Sequence, residues 1–112
     1  MANHVIFIIG SIPNYQKLDD SRLILSDEGD TVVKPGDTVI WINMVASISS
    51  FLIRDDNKNS NVFEPDPAPV EGSNIWRGRV RKGNKKKEEH YTICWSQGGM
   101  IFRYDPVIKV NP

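Results

Sequence analysis

KPGDTVIWIN, residues 34 to 43, is the stretch that decides how this 112-residue chain is read. Pro35-Gly36-Asp37 is a turn signal, because proline presets φ at the first corner and glycine takes the positive φ at the second. Behind the turn the residues alternate. Val39, Trp41 and Asn43 point to one side, and Thr38, Ile40 and Ile42 to the other. A β-branched and aromatic run of this kind predicts a strand. Both of its faces are largely apolar, so the strand is expected inside a sheet covered, at least in part, on both sides. Asn43 marks the point where the chain leaves the core.

Working outward, turn signals separate a series of short strands. Asn3 to Ile9 reads as the first, ended by Gly10, and Ser11 to Ser21 as a polar connection with room for a short helix over Tyr15 to Asp20. Arg22 to Ser26 and Thr31 to Val33 flank a turn at Asp27 to Asp30. Met44 to Ser50 reads as a loop or bulge, Ser50 to Arg54 as a strand, and Asp55 to Asn61 as a turn. Val62 and Phe63 add a short strand. Glu64 to Gly72, with three prolines, is an irregular surface loop. Ile75 to Arg81 and Glu89 to Trp95 are expected to form a hairpin around Lys82-Gly83-Asn84-Lys85. Ser96 to Gly99 is a loop, and Val107 to Val110 the last strand. No helical period runs longer than about a turn, so the predicted class is all-β, a Greek-key β-sandwich of seven or eight strands in one domain spanning 1–112.

The totals exclude several classes. Fourteen basic and fourteen acidic residues cancel, so net charge implies neither a nucleic-acid binder nor an acidic-surface protein as a whole. Cys94 is the single cysteine, which forbids an intramolecular disulfide. The apolar run near the N-terminus has no basic residues before it and no cleavage site after it, and it is too short to span a bilayer. A soluble, cytoplasmic protein is expected, with no membrane partner.

The order of elements resembles the cupredoxins, the blue-copper β-sandwich family. The resemblance is carried by PGDTVIWIN, by the alternating strand Tyr91-Thr92-Ile93, by the loop Cys94 to Met100 and by the closing IKV. It implies a copper site of two imidazoles, a thiolate and a weak axial methionine. That ligand set is incomplete here: Ser49 falls near one histidine position and Gln97 at the other. Cys94 and Met100 keep the family's spacing. If Tyr91 and Ile93 point inward, however, Trp95 takes the cysteine position and Cys94 points away; the register is open between these two. His90, on the same strand face as Cys94, is the other potential metal ligand, although three or four ligands are needed. No cofactor is expected.

No Gly-x-Ser-x-Gly elbow, no phosphate-cradling glycine loop and no pair of carboxyls placed across a cleft can be read from the chain, so it is read as not an enzyme. Seven of the fourteen basic residues fall between Arg77 and Lys87. Arg77, Arg79, Arg81 and Lys82 could form a stripe for a polyanion or nucleic acid. Such charge equally protects an edge hairpin from aggregation, and the acidic loops at Asp55-Asp56 and Glu64 to Asp66 could pair with it in a second copy. The leading expectation is a non-catalytic binding or assembly module with a protein partner or self-association. Its partner-binding candidates are Ser49, Gln97, Met100, Phe102 and Tyr104, on the end loops Met44 to Ser50 and Ser96 to Phe102 and just beyond. The alternatives are a metal-binding or electron-transfer protein using Cys94 and Met100, and a polyanion binder using the basic hairpin 77–87.

Overall fold

The computed structural model describes residues 1–55 and 62–112. The turn expected at Asp55 to Asn61 therefore lies, beyond Asp55, outside the described residues. Eleven strands are described: β1 Asn3–Ile12, β2 Arg22–Leu25, β3 Asp30–Val33, β4 Thr38–Asn43, β5 Ile48–Arg54, β6 Ala68–Pro69, β7 Ile75–Arg79, β8 Lys87–His90, β9 Thr92–Gln97, β10 Met100–Tyr104 and β11 Val107–Val110, with one 3₁₀ turn at Leu18–Asp20. They form three sheets, β2-β1-β4-β7-β6, β10-β9-β5 and β3-β11-β8. The class is all-β, as the alternation required. β1 runs parallel to β4, and β3 parallel to β11.

The turn before β4 ties the first sheet together. Gly36 takes φ 87°, and Asp37 N–H donates to the Lys34 carbonyl at 3.0 Å. Gly36 N–H donates to Val80 O and Val80 N–H to Asp37 O, which fastens the end of β7 to the turn. The buried Asp37 carboxylate accepts Ala2 N–H and Lys34 N–H, both at 2.9 Å, and His4 Nε2–H at 2.7 Å. Burial pushes this carboxyl up. The hydrogen bonds from Ala2, His4 and Lys34, with the attraction of the His4 ring, outweigh it and hold the pKa down at about 2. At the other end of β4, Asn43 Oδ1 accepts Val45 N–H at 2.9 Å and turns the chain out of the sheet.

One apolar core draws on all three sheets. Ile6 and Ile8, Val39 and Trp41, Ile93 and Trp95, and Ile108 and Val110 all point into it. Trp41 is its centre: the indole Nε1–H donates to Tyr91 Oη at 3.0 Å, and its ring meets Tyr91 and Phe63 at centroid distances of 5.6 and 5.7 Å. Burial drives the Tyr91 phenol pKa far upward, the Trp41 bond offsetting only part of it, so the group stays neutral. Gly78 is inward-facing, and a Cβ there would stand 3.0 Å from a Phe63 ring carbon and 3.1 Å from Pro67. Gly78→Ala is therefore expected to cost about 1–3 kcal/mol through overpacking, read as a lowered urea midpoint; an unchanged midpoint would mean that Phe63 and Pro67 move aside freely.

The structure corrects three expectations. The arms 75–81 and 89–95 do not form a hairpin: β7 pairs with β4 and β6, and β8 with β11 in another sheet. Asn84 explains it. The residue is buried and its side-chain amide donates to Val62 O at 2.9 Å, which draws the Lys-Gly-Asn-Lys segment inward as a crossover. The first strand does not end at Gly10. It bulges there and continues to Ile12, the missing Cβ leaving room for Ile24, whose Cδ1 would otherwise lie 2.9 Å away. Met100–Tyr104 is a strand, joined to β9 by Gly98-Gly99 at φ 57° and 78°. Two positive-φ residues between paired strands are a type I′ connection, and the Gly-Gly pair was its signal in the sequence. The outer face of β4 is covered in part, as expected: among the described residues Thr38, Ile40 and Ile42 are half-buried.

Candidate functional site

The two end loops do meet. Ser49 Oγ donates to Ser96 O at 3.2 Å. Gln97 Oε1 accepts from Ser11 Oγ at 2.8 Å and from Trp95 Nε1–H at 3.1 Å, while its Nε2 donates to Ser47 Oγ at 3.2 Å. Gln97 is thus a clasp between β1, the β4–β5 loop and β9. Phe102, a partner-binding candidate, is instead buried, stacked 5.6 Å from Trp95 with Tyr15 edge-on at 5.2 Å. Tyr104 is half-buried, with its hydroxyl over Gly29. Ser49 and Met100 keep exposed surface.

The residues do not fit a blue-copper centre. On β9, Ile93 and Trp95 face the core, so Cys94 lies on the opposite face, beside Leu52 and Arg103. Trp95, not Cys94, is the side chain that points into the core. His90 lies on β8 in a different sheet from Cys94, and its ring Nδ1–H donates to Asp105 O at 3.1 Å. Among the described residues no three His, Cys, Asp or Glu side chains are grouped to hold a metal ion.

The basic residues are also divided. Arg77 and Arg79 point outward from β7 and Lys82 is exposed in the crossover, while Arg81 turns back to Asn84 Oδ1 at 3.3 Å. Lys87 sits on β8 in the third sheet.

A different surface emerges on the outward face of the five-stranded sheet. The registers Val5↔Ile40, Phe7↔Ile42, Ile40↔Arg77 and Ile42↔Ile75 place these side chains on one side of three adjacent strands. β2 adds Ile24 on the same side. Val5, Phe7, Ile9 and Ile24 are 43, 37, 55 and 48% exposed. Toward β6 the face ends in an open groove of about 780 Å³, floored by Thr38, Ile40, Arg77 and Arg79 and walled by the segment carrying Asp66 and Glu71. A contiguous apolar face with a polar rim is the physical signature of a contact surface. Sequence reasoning missed it because Val5, Phe7 and Ile9 alternate with buried Ile6 and Ile8. An all-apolar strand reads as covered on both sides; what covers it is not written in the strand.

Among the described residues no helix is long and apolar enough to cross a membrane. No family model and no curated protein sequence matches the chain.

Proposed function

We propose that this chain is a non-catalytic binding or assembly module, working inside the cell, which engages its partner through the outward face of the five-stranded sheet. The single observation that carries the reading is the apolar face on which Val5, Phe7, Ile9 and Ile24 are exposed beside half-buried Ile40 and Ile42. Buried aliphatic and aromatic side chains stabilise an interface, and leaving them in water has a standing cost that a partner removes. The scaffold in this proposal is a Greek-key sandwich of the blue-copper kind that carries no copper site. Ser49 and Met100 are the remaining candidates for a secondary contact at the loop end. The separation of Cys94 from His90 weakens the metal alternative. The acidic Asp66 and Glu71 beside Arg77 and Arg79 weaken the polyanion alternative.

The test compares two variants of the tagged chain in extract from its own cells. Val5→Lys with Ile40→Lys is expected to abolish every specific association, self-association included, while Ser49→Arg leaves it at the wild-type level. If associations survive the face variant, the module does not work through this face.

A further inference from the structure

We infer that the outward face receives a second copy of the same chain, packed sheet against sheet. The inference rests on the reading of that face as a binding surface and names its occupant.

The side chains on the face are those of an internal sheet layer. Val5, Ile9, Ile24, Ile40 and Ile42 are β-branched, and Phe7 stands among them. Two such layers interdigitate when sheets stack about 10 Å apart. The rim carries both signs of charge. Arg22, Arg77 and Arg79 lie on the face, and Asp66 and Glu71 line the groove at its end. A two-fold contact sets one patch against itself, so the patch must contain its own complement. This one does, whereas a nucleic acid would meet the two carboxylates and an acidic protein would meet repulsion in the groove. The chain has no net charge to keep copies apart.

Size is consistent with this occupant. β2, β1, β4 and β7 lie about 4.8 Å apart and pair over four to six residues, a footprint of roughly 300–400 Å² in projection on each copy and roughly 600–800 Å² over both. Protruding side chains and the groove add to it, and specific interfaces begin near 1,000 Å² counted over both partners. The contact is therefore at the small end, and reversible. Joining through the β6 edge is disfavoured, because β6 has two residues and Pro65, Pro67 and Pro69 line that segment.

The test is sedimentation velocity on the purified chain alone, from about 1 to about 200 μM, a range that brackets a micromolar dissociation constant. The expected result is a monomer–dimer equilibrium. Phe7→Lys and, separately, Ile24→Lys should each raise the dissociation constant at least about tenfold, in line with loss of a central apolar contact. Both positions are solvent-facing, and an unchanged thermal midpoint for at least one variant separates lost pairing from lost folding. A monomer at every concentration overturns the inference. If extract partners are still lost with Val5→Lys and Ile40→Lys, the binding face stands and its occupant is a different molecule. A dimer untouched by both lysine variants also overturns the inference, because the interface then lies elsewhere.

Discussion

Trp41→Ala is expected to lower stability by about 3–5 kcal/mol, a large part of what a single domain of this size holds in reserve. The indole is fully buried at the meeting point of the first sheet with Phe63 and Tyr91. Its removal leaves a void that rigid strands on every side cannot close, and it strips the Tyr91 hydroxyl of a donor. The polar part can be separated from the packing part. Tyr91→Phe keeps the ring and leaves the Trp41 N–H without its acceptor, an expected cost of about 1–3 kcal/mol. Trp41→Phe removes the donor. In the double variant the penalties should fall short of their sum by about 1 kcal/mol or more, because the second change removes a group already left unpaired. Chemical denaturation of the four proteins measures this directly. Strict additivity would mean that the 3.0 Å contact contributes nothing.

Asp37→Asn should alter acid stability in a defined window. The carboxyl is held at about 2 in the folded chain against 3.8 as the ordinary value. A group depressed by folding contributes stability that is complete above its unfolded pKa and disappears as the pH falls through its folded one. The contribution is therefore full above about pH 5 and lost between about pH 4 and pH 2; the shift corresponds to about 2 kcal/mol. The asparagine amide keeps the size of the side chain but points a donor at N–H groups that need an acceptor. Wild type and variant should differ most near neutrality and converge toward pH 2. Urea midpoints at pH 7, 4, 3 and 2 test this, and a difference constant with pH would show that the charge of Asp37 is irrelevant. The two arms of the effect share one cause, since Ala2, His4 and Lys34 are all fastened by the same two oxygens.

How much was legible follows from what alternation reports. It gives the side of a sheet on which a residue lies, and on that question KPGDTVIWIN was read correctly. Val39 and Trp41 are buried, and Asn43 closes the strand by its own side-chain bonds. The same alternation holds in β7 and just past it, where Gly78 and Val80 are buried and Arg77 and Arg79 exposed. Alternation does not report which strand is the neighbour. Lys82 to Lys85 has the composition of a hairpin turn, yet a single buried amide at Asn84 sends the chain to another sheet. Nor does it report whether a layer exists above an apolar face. The β4 outer face was assigned at least a partial cover, and Ile40 and Ile42 are indeed half-buried, but on neighbouring β1 Val5, Phe7 and Ile9 stay exposed. At the loop end, segments 44–50 and 96–102 do meet, through Ser49 with Ser96 and Ser47 with Gln97. That Gln97 would be consumed by three internal bonds was not foreseen, because the sequence shows its amide but not the partners that surround it.

The parallel pairing of β3 with β11 has a consequence for how the protein is born. Val33 finds its partner in Val110, and Asp30 in Val107. A chain emerging from the ribosome must hold β3 without its partner while roughly seventy further residues are translated. β8 waits with it, since β11 lies between the two. Closing a loop of that length also carries an entropic toll before the contacts that reward it can form. Nascent chains stalled ahead of Val107 would display two unmated strand edges to every other chain in the vicinity, and β11 closes both at once.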